Sequence, residues 1–299
     1  MLLLTGATGL VGSALLPRLL AEGIQVRCLV RDPRRLGAQR VRVQIALGDL
    51  TDPPSFRNAL RGVQTVVHLA ASIRDQPKGS IEELCGIATW RMVEAAERQG
   101  VERFVFFSAL GASTHHRTRC LRAKALAEQA VRESAVRSIV FAPSIVYAPG
   151  DPWLTLLERM ALLPVMPISG RGRAAFQPIW AEDVAGCVTA ALRQESSDRD
   201  ARYELAGPAT LSHDEIVRTL LRSLGRRRPL VHVPTPVVSR ALRLLEATAG
   251  PRAFATWDEA ELMEVDMISA GGTDDAEALG ITPQRMAAVL PTAGPPRAG

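Results

Sequence analysis

Met1-Leu2-Leu3-Leu4 runs directly into Thr5-Gly6-Ala7-Thr8-Gly9-Leu10-Val11-Gly12, an apolar stretch broken by three glycines. A short continuous apolar run is the mark of a strand buried on both faces. Glycines at its end let backbone N–H groups approach a pyrophosphate that side chains would hold away. The stretch therefore predicts strand, phosphate loop and helix, the helix running from about Val11 to Glu22 with the positive end of its dipole at the loop. Gly23 closes that helix and Ile24–Val30 forms a second strand. The strand–helix–strand unit is thus complete within about thirty residues, the context that separates a dinucleotide fingerprint from an ordinary tight turn.

Outward from this unit the alternation continues. Val41–Leu47, Thr65–Ala71, Val101–Ser108 and Arg137–Tyr147 read as further strands, and Pro54–Leu60, Ile81–Gln99 and Thr118–Ser134 as the helices between them. Strands alternating six times with helices specify an α/β fold, a Rossmann-type doubly wound parallel sheet with right-handed crossovers. The second half changes character into a smaller mixed C-terminal lobe. Trp153–Ile168 is apolar with three prolines nearby and is read as a lid helix in preference to an interfacial patch. Phe176–Trp180 is a short strand before a helix from Glu182 to Arg193 that carries Asp183 in its first turn, and Arg202–Ala206 is another strand. Ser212 and Glu215 stand in capping-box register. The expected organisation is a nucleotide-binding core over 1–150, a substrate or partner lobe over 151–290 whose segment 176–206 returns to the core, and a flexible tail over 291–299.

Composition narrows the function classes. The chain has 299 residues, 47% of them hydrophobic, enough for a substantial core. It has no run of 18 apolar residues, and its first apolar stretch is only a strand long and has no basic lead. Neither a transmembrane helix nor a secretory signal is expected, and the expected location is the cytoplasm, with peripheral contact at the inner membrane face left open. Cys28, Cys85, Cys120 and Cys187 are scattered with no C-x-x-C pair, so free thiols and no metal site are expected. Net charge is +5, and of 36 basic residues all but Lys78 and Lys124 are arginine. The densest basic cluster, Gly225-Arg226-Arg227-Arg228-Pro229, holds no aromatic residue. It reads as a solvated turn, and nucleic acid is not expected as a partner.

At the end of the second strand stands Arg31-Asp32-Pro33-Arg34-Arg35. An arginine here pairs with the 2′-phosphate of NADP, whereas a carboxylate accepts from the 2′-hydroxyl of NAD. Arg31 favours NADP(H), and Asp32 leaves NAD(H) open. Asp49 stands where a carboxylate accepts from the adenine amino group. Small residues follow the fourth strand at Ala70 and Ala71, where bulk would block a cofactor. His68, at that strand's end, is read as a core histidine without a catalytic role. Ser108 ends the fifth strand, on the edge of the sheet where ligands bind.

These motifs resemble the extended and atypical short-chain dehydrogenase/reductases: T-G-A-T-G-L-V-G at Thr5–Gly12, L-V-R-D-P at Leu29–Pro33, G-D-L-T-D at Gly48–Asp52 and H-L-A-A at His68–Ala71. Ser108–Ala112, Phe176–Ala185, Tyr203–Pro208 and Leu279–Ile281 sharpen the resemblance to the NmrA-like branch, which includes the nucleotide-binding accessory subunit of respiratory complex I and its bacterial relatives. The resemblance implies a nicotinamide nucleotide held by Gly6, Thr8, Gly9, Leu10, Val11, Gly12, Arg31, Asp49, Leu50, Leu69, Ala70, Ala71, Ser108, Lys124 and Pro143. In the family a serine, a tyrosine and a lysine four residues after the tyrosine carry hydride transfer. Here the Y-x-x-x-K position reads Cys120-Leu121-Arg122-Ala123-Lys124. A thiol ends well short of a phenol, and a proton donor must come within about 2.6–3.2 Å of its partner. The family's serine falls on Leu110, leaving Ser108 a weak substitute. His115 and His116, in a polar loop near the site, are the candidates for a substitute acid, the alternative being a solvent-facing histidine pair.

Cys120 is expected to be a buried, inert thiol, the alternative being a reactive one whose pKa Lys124 lowers. The retained lysine fits retained cofactor binding, because an ammonium and a guanidinium fork are not interchangeable on ribose hydroxyls. Two readings follow. One is a structural or sensory nucleotide binder that serves as an accessory or assembly factor of a larger complex. The other is an active NAD(P)-dependent oxidoreductase or epimerase on a small carbonyl or sugar-like substrate.

Overall fold

The structure, a computed structural model, describes residues 1–77, 79–194, 200–249 and 255–290. The expected tail over 291–299 lies outside the described residues, as does Lys78.

Seven parallel strands form the central sheet. They are β1 (Leu2–Thr5), β2 (Val26–Val30), β3 (Gln44–Leu47), β4 (Thr65–His68), β5 (Arg103–Phe107), β6 (Arg137–Pro143) and a strand from the second half, Asp200–Leu205. Their spatial order is Asp200–Leu205, β6, β5, β4, β1, β2, β3. The order reverses between β1 and β4, and it is at such a reversal that a crevice opens at the carboxyl ends of the strands. Alternation along β1 buries it on both faces. Leu2 and Leu4 pack into one core with α1 (Leu10–Ala21), and Leu3 packs into the other with α3 (Ala88–Arg98) and α4 (Arg119–Glu133). The short helix α2 (Pro53–Phe56) contributes Phe56 to this second core.

Several boundaries differ from the sequence reading, each for a local reason. The strand expected from Val41 begins at Gln44, because Pro33–Val41 forms tight 3-10 turns that Asp32 starts by accepting from the Arg34 N–H. The helix expected over Ile81–Gln99 opens with a wide π turn, Glu83–Ile87, before α3. Beyond β6 the chain breaks at Ser144, and β7 (Val146–Tyr147) leaves the main sheet to pair with β10 (Ile179–Trp180).

The apolar stretch Trp153–Ile168 is not a lid helix. It divides into α5 (Pro152–Met160), whose Leu154 and Leu157 are buried, and β8 (Met166–Ser169), with Pro164 in the turn between them. These pack with β9 (Ala175–Phe176), α7 (His213–Ser223) and β13 (Leu230–Val233) around a third core containing Tyr147, Ile168, Phe176 and Leu220. α6 (Ala181–Arg193) returns to the sheet and packs on α1, where Glu182 accepts from Arg18 at 2.9 Å. Then β11 (Asp200–Leu205) joins the sheet edge beside β6. The Ser212 capping box is complete in both directions, with β12 (Leu211–Ser212) leading into α7. The chain goes on through α8 (Thr235–Ala249) to α9 (Trp257–Leu262), which comes back over the sheet's carboxyl edge.

Candidate functional site

The crevice holds a cavity of about 490 Å³ lined by the phosphate loop, the ends of β2, β3 and β4, and the segment after β4. Gly6 explains how so tight a loop forms. Its φ is +73°, and an added Cβ would stand 2.7 Å from the Ala70 backbone nitrogen. At Gly12 a Cβ would come within 2.1 Å of the Gly6 carbonyl oxygen, so this glycine lets α1 start directly on the loop. α1 follows Gly9 at its N-cap position, with no side-chain cap and no carboxylate in its first turn. Its N-terminal N–H groups and dipole are thereby left to an anion supplied from the cavity.

Of the residues expected at the nucleotide, Gly6, Thr8, Gly9, Arg31, Asp49, Leu50, Leu69, Ala70 and Ala71 line this cavity. Leu10, Val11 and Gly12 form the first turn of α1 behind it. Ser108, Lys124 and Pro143 lie outside the lining, at the ends of β5 and β6 and on α4. Arg35, Ser72, Gln76 and Leu84 also line it and were not among the expected residues. The Arg34-Arg35 pair after Asp32 was the signal available for the first of them. Arg31 and Arg35 are both exposed at the rim, while the Asp32 carboxylate accepts from the Arg34 N–H at 3.0 Å. Asp49 holds its own loop: one carboxylate oxygen accepts from the Thr51 N–H at 3.1 Å and from its hydroxyl at 3.0 Å.

Beneath the crevice His68 is fully buried in a hydrogen-bond chain whose direction is fixed. Thr89 donates its hydroxyl to the Cys85 carbonyl at 2.7 Å, so toward His68 it can only accept, and Nε2 carries the proton. Nδ1 then accepts from Thr5 Oγ1 at 2.9 Å, and that oxygen accepts from the Ala70 N–H at 3.3 Å. Burial, with the nearby Lys124 charge adding to it, lowers the His68 pKa to about 3. A neutral imidazole thus ties β1 and β4 to the cavity wall, in keeping with a core histidine.

Lys124 reaches from α4 to the end of β5, where its Nζ donates to the Phe107 carbonyl and lies 5.3 Å from the centre of the Phe106 ring. Next to that carbonyl, Ser108 is only 3% exposed, and its Oγ has no hydrogen-bond partner among the described residues. A buried hydroxyl without a partner at the ligand edge is a place for a ligand to bond, because leaving it unmade costs about 1–3 kcal/mol.

Cys120 is 7% exposed and faces a small cluster of Ile81, Cys85 and Ala123. His115 is exposed, bonded at Nδ1 to its neighbour Thr114, and His116 bonds Thr118, its pKa lowered by burial and by Arg117 and Arg122. The two tyrosines stand elsewhere. Tyr147 is buried in the third core, and Tyr203 stacks on Phe141 in the sheet.

Comparison with known proteins agrees with this geometry. A family model described as NAD(P)H-binding matches residues 6–151. The chain is 28% identical over 286 residues to the mitochondrial NADH dehydrogenase [ubiquinone] 1 alpha subcomplex subunit 9 of Arabidopsis thaliana, covering 90% of this chain and 69% of that one. It is 31% identical over 279 residues to sterol demethylase protein B of Methylococcus capsulatus, covering 84% and 83% of the two chains. Among solved structures, an NADPH-dependent quinone oxidoreductase of Escherichia coli complexed with NADPH superposes with a TM-score of 0.77 at 16% identity, over 97% of this chain and 98% of the other, a likeness of fold. With a phosphate loop, a reversal crevice and relatives of this kind, the chain belongs to the NAD(P)H-binding atypical short-chain dehydrogenase/reductases.

Proposed function

We propose that this protein holds NADP(H), in preference to NAD(H), as a structural or sensory group, and acts as an accessory or assembly factor of a larger complex. Support for the nucleotide preference comes from Arg31 and Arg35 at the rim and from Asp32, whose carboxylate is engaged by Arg34. The observation that carries the non-catalytic role is Cys120. At the position where the family keeps its tyrosine, a short thiol faces a closed apolar cluster and presents no acid to the ligand edge. In this role Gly6 to Gly12 would hold the pyrophosphate, Asp49 and Leu50 would flank the adenine, and Lys124 and Ser108 would bond the nicotinamide half. A bound nicotinamide nucleotide would supply hydride transfer if a substrate and a proton donor met it.

The orphaned Ser108 hydroxyl favours the second reading, a slow oxidoreductase or epimerase on a small carbonyl or sugar-like substrate. One experiment separates the readings. Calorimetric titration of NADPH and NADH into nucleotide-stripped protein, with Arg31→Ala and Lys124→Ala beside it, is expected to show NADPH binding at least tenfold tighter and weakened by both changes. Equal affinities would overturn the preference, and no binding of either would overturn the site. Hydride transfer to a carbonyl panel that disappears in Lys124→Ala would replace the first reading with the second.

Partnership with a complex extends in our reading to peripheral membrane contact. The turn after α5 exposes Leu162, Leu163, Pro164 and Val165, and Val231 on the adjoining strand is exposed beside it. Arg226 and Arg228 both donate to the Ala161 carbonyl, at 3.0 and 3.3 Å, which sets the arginine cluster at the root of that apolar tip.

A further inference from the structure

Two of the four cysteines, 35 positions apart in the chain, meet under the nucleotide cavity. Cys85 lies in the π turn Glu83–Ile87 and Cys120 in the first turn of α4, and with Ile81 and Ala123 they form a small core of their own. The turn lies close to α4: a Cβ added at Gly86 would be in ordinary contact, 3.7 Å from the Ala123 carbonyl oxygen. Both thiols lie inside that core, Cys85 1% and Cys120 7% exposed. Cys85 Sγ in turn donates to the Ser72 carbonyl at 3.1 Å. Ser72 and Leu84, the neighbour of Cys85, both line the cavity. A run of contacts therefore leads from Cys120 through Cys85 to the cavity wall.

The pair is chemically unequal. The neighbouring Cys120 side chain lowers the Cys85 pKa against the opposing effect of burial, and the Lys124 charge adds to the lowering. The neighbouring Cys85 side chain, with burial, raises Cys120. Cys85, which holds its proton toward Ser72 at rest, is thus the sulfur that gives up its proton first and attacks, and Cys120 the thiol that resolves it. Cys28 and Cys187 differ: burial pushes each of them up to about 12.

We propose that Cys85 and Cys120 are a dithiol modification site that a hydroperoxide entering through the cavity converts into a disulfide, tying the turn Glu83–Ile87 to α4. The Cys85 thiolate attacks the peroxide O–O bond, becomes a sulfenic acid, and releases water or an alcohol after proton uptake. Cys120 sulfur then attacks Cys85 sulfur and expels hydroxide, which leaves as water with the proton from Cys120. Two thiols are oxidised and one hydroperoxide is reduced. The bond removes the S–H that the Ser72 carbonyl accepts and draws the turn toward α4, so the cavity wall changes with it. This last consequence rests on the nucleotide reading, but the chemistry does not.

The test treats the full chain with hydrogen peroxide, blocks remaining thiols with an alkylating agent, and maps proteolytic peptides by mass under non-reducing conditions. A Cys85–Cys120 cross-link, with Cys28 and Cys187 alkylated, is the expected result. In Cys120→Ser the expected product is a Cys85 sulfenic acid that dimedone traps. Both thiols remaining alkylated, or both reaching sulfinic acid without a cross-link, would overturn the proposal; the wild-type map requires no variant to fold. Calorimetry on oxidised and reduced protein is expected to show NADPH affinity reduced threefold or more by the bond. A cross-link with unchanged affinity would overturn the coupling to the cavity. A cross-link in a protein that binds no nucleotide in either state would overturn the nucleotide reading and support the dithiol.

Discussion

Gly12 shows how much a single residue decides here. Its missing Cβ would meet backbone on two sides, the Gly6 oxygen at 2.1 Å and the Ala7 Cα at 2.8 Å, and backbone cannot swing aside as a flexible side chain can. Gly12→Ala is expected to destabilise the fold by about 1–3 kcal/mol in urea melts, and to weaken nucleotide binding more than tenfold because the loop must move off α1. Unchanged stability would show that the loop does not press on the helix as described. His68 yields a prediction about pH. Folded, it stays neutral down to about pH 3, while the unfolded imidazole takes a proton below about 6.5. Between those values the unfolded state binds the extra proton. The contribution is therefore complete above about pH 6.5 and is lost as the pH falls, at about 1.4 kcal/mol per unit. Urea melts between about pH 7 and 5 are expected to show a shallower acid loss in His68→Gln, by about one proton's worth. Parallel slopes would mean that His68 is protonated in the folded protein.

Among elements, α4 is the one that joins most of the site, and it does so through Arg119. This guanidinium donates to Asp75 in the segment after β4 at 3.0 Å, to Glu82 before the π turn at 2.7 Å, and to Asp258 on α9 at 3.3 Å. The Arg119 bonds hold Glu82 well below the usual carboxylate range, at about 2. Arg74, two residues past Ser72, reaches α9 as well, donating to Glu259 at 2.6 Å. Arg119→Met is expected to cost about 1–3 kcal/mol by leaving three carboxylates without their common donor. It is also expected to speed proteolysis between β4 and the π turn. A variant as protease-resistant as the parent would show that the ion pairs do not hold this wall.

Much of this element order was legible in the sequence, because a buried parallel strand is an apolar run and glycines such as Gly23 and Gly100 close the helices between strands. The edge strand β3 was read too long. Its partly exposed pattern gives little periodicity, and Val41 is apolar but lies outside the sheet. Trp153–Ile168 misled because hydropathy does not register that Pro164 separates a helix from a strand. The nucleotide loop was legible from local spacing, whereas the contact of Cys85 with Cys120 depends on a π turn packing against α4 and has no local signal. The same holds for Arg119 and its partners, which lie up to 139 positions away.

At the scale of the whole molecule, exposed apolar side chains and basic residues come together at the turn between α5 and β8. Across residues 152–168 and 222–233 stand Arg159, Arg222, Arg226, Arg227 and Arg228 against one carboxylate, Glu158. Leu162, 64% exposed, and Leu163 stand on a turn anchored by the buried Leu157 and Met166, with Arg226 and Arg228 bonded to its Ala161 carbonyl. Solvating such a tip gains nothing, while an anionic lipid surface satisfies both of its components: guanidinium groups at the headgroups and aliphatic side chains below them. No helix among the described residues is long and apolar enough to cross a membrane. Sedimentation with vesicles containing phosphatidylglycerol is expected to carry the protein down, and phosphatidylcholine vesicles to carry much less. Arg227→Ala is expected to weaken the partitioning about fivefold, and raised salt to weaken it further, since each basic residue near an anionic surface contributes about 1 kcal/mol. Leu162→Asp with Leu163→Asp is expected to abolish sedimentation while leaving nucleotide affinity intact, because neither residue lines the cavity. If the parent protein stays in the supernatant with both kinds of vesicle, the tip is instead a surface for a protein partner, and loss of co-purifying subunits in the same double variant is what would reveal it.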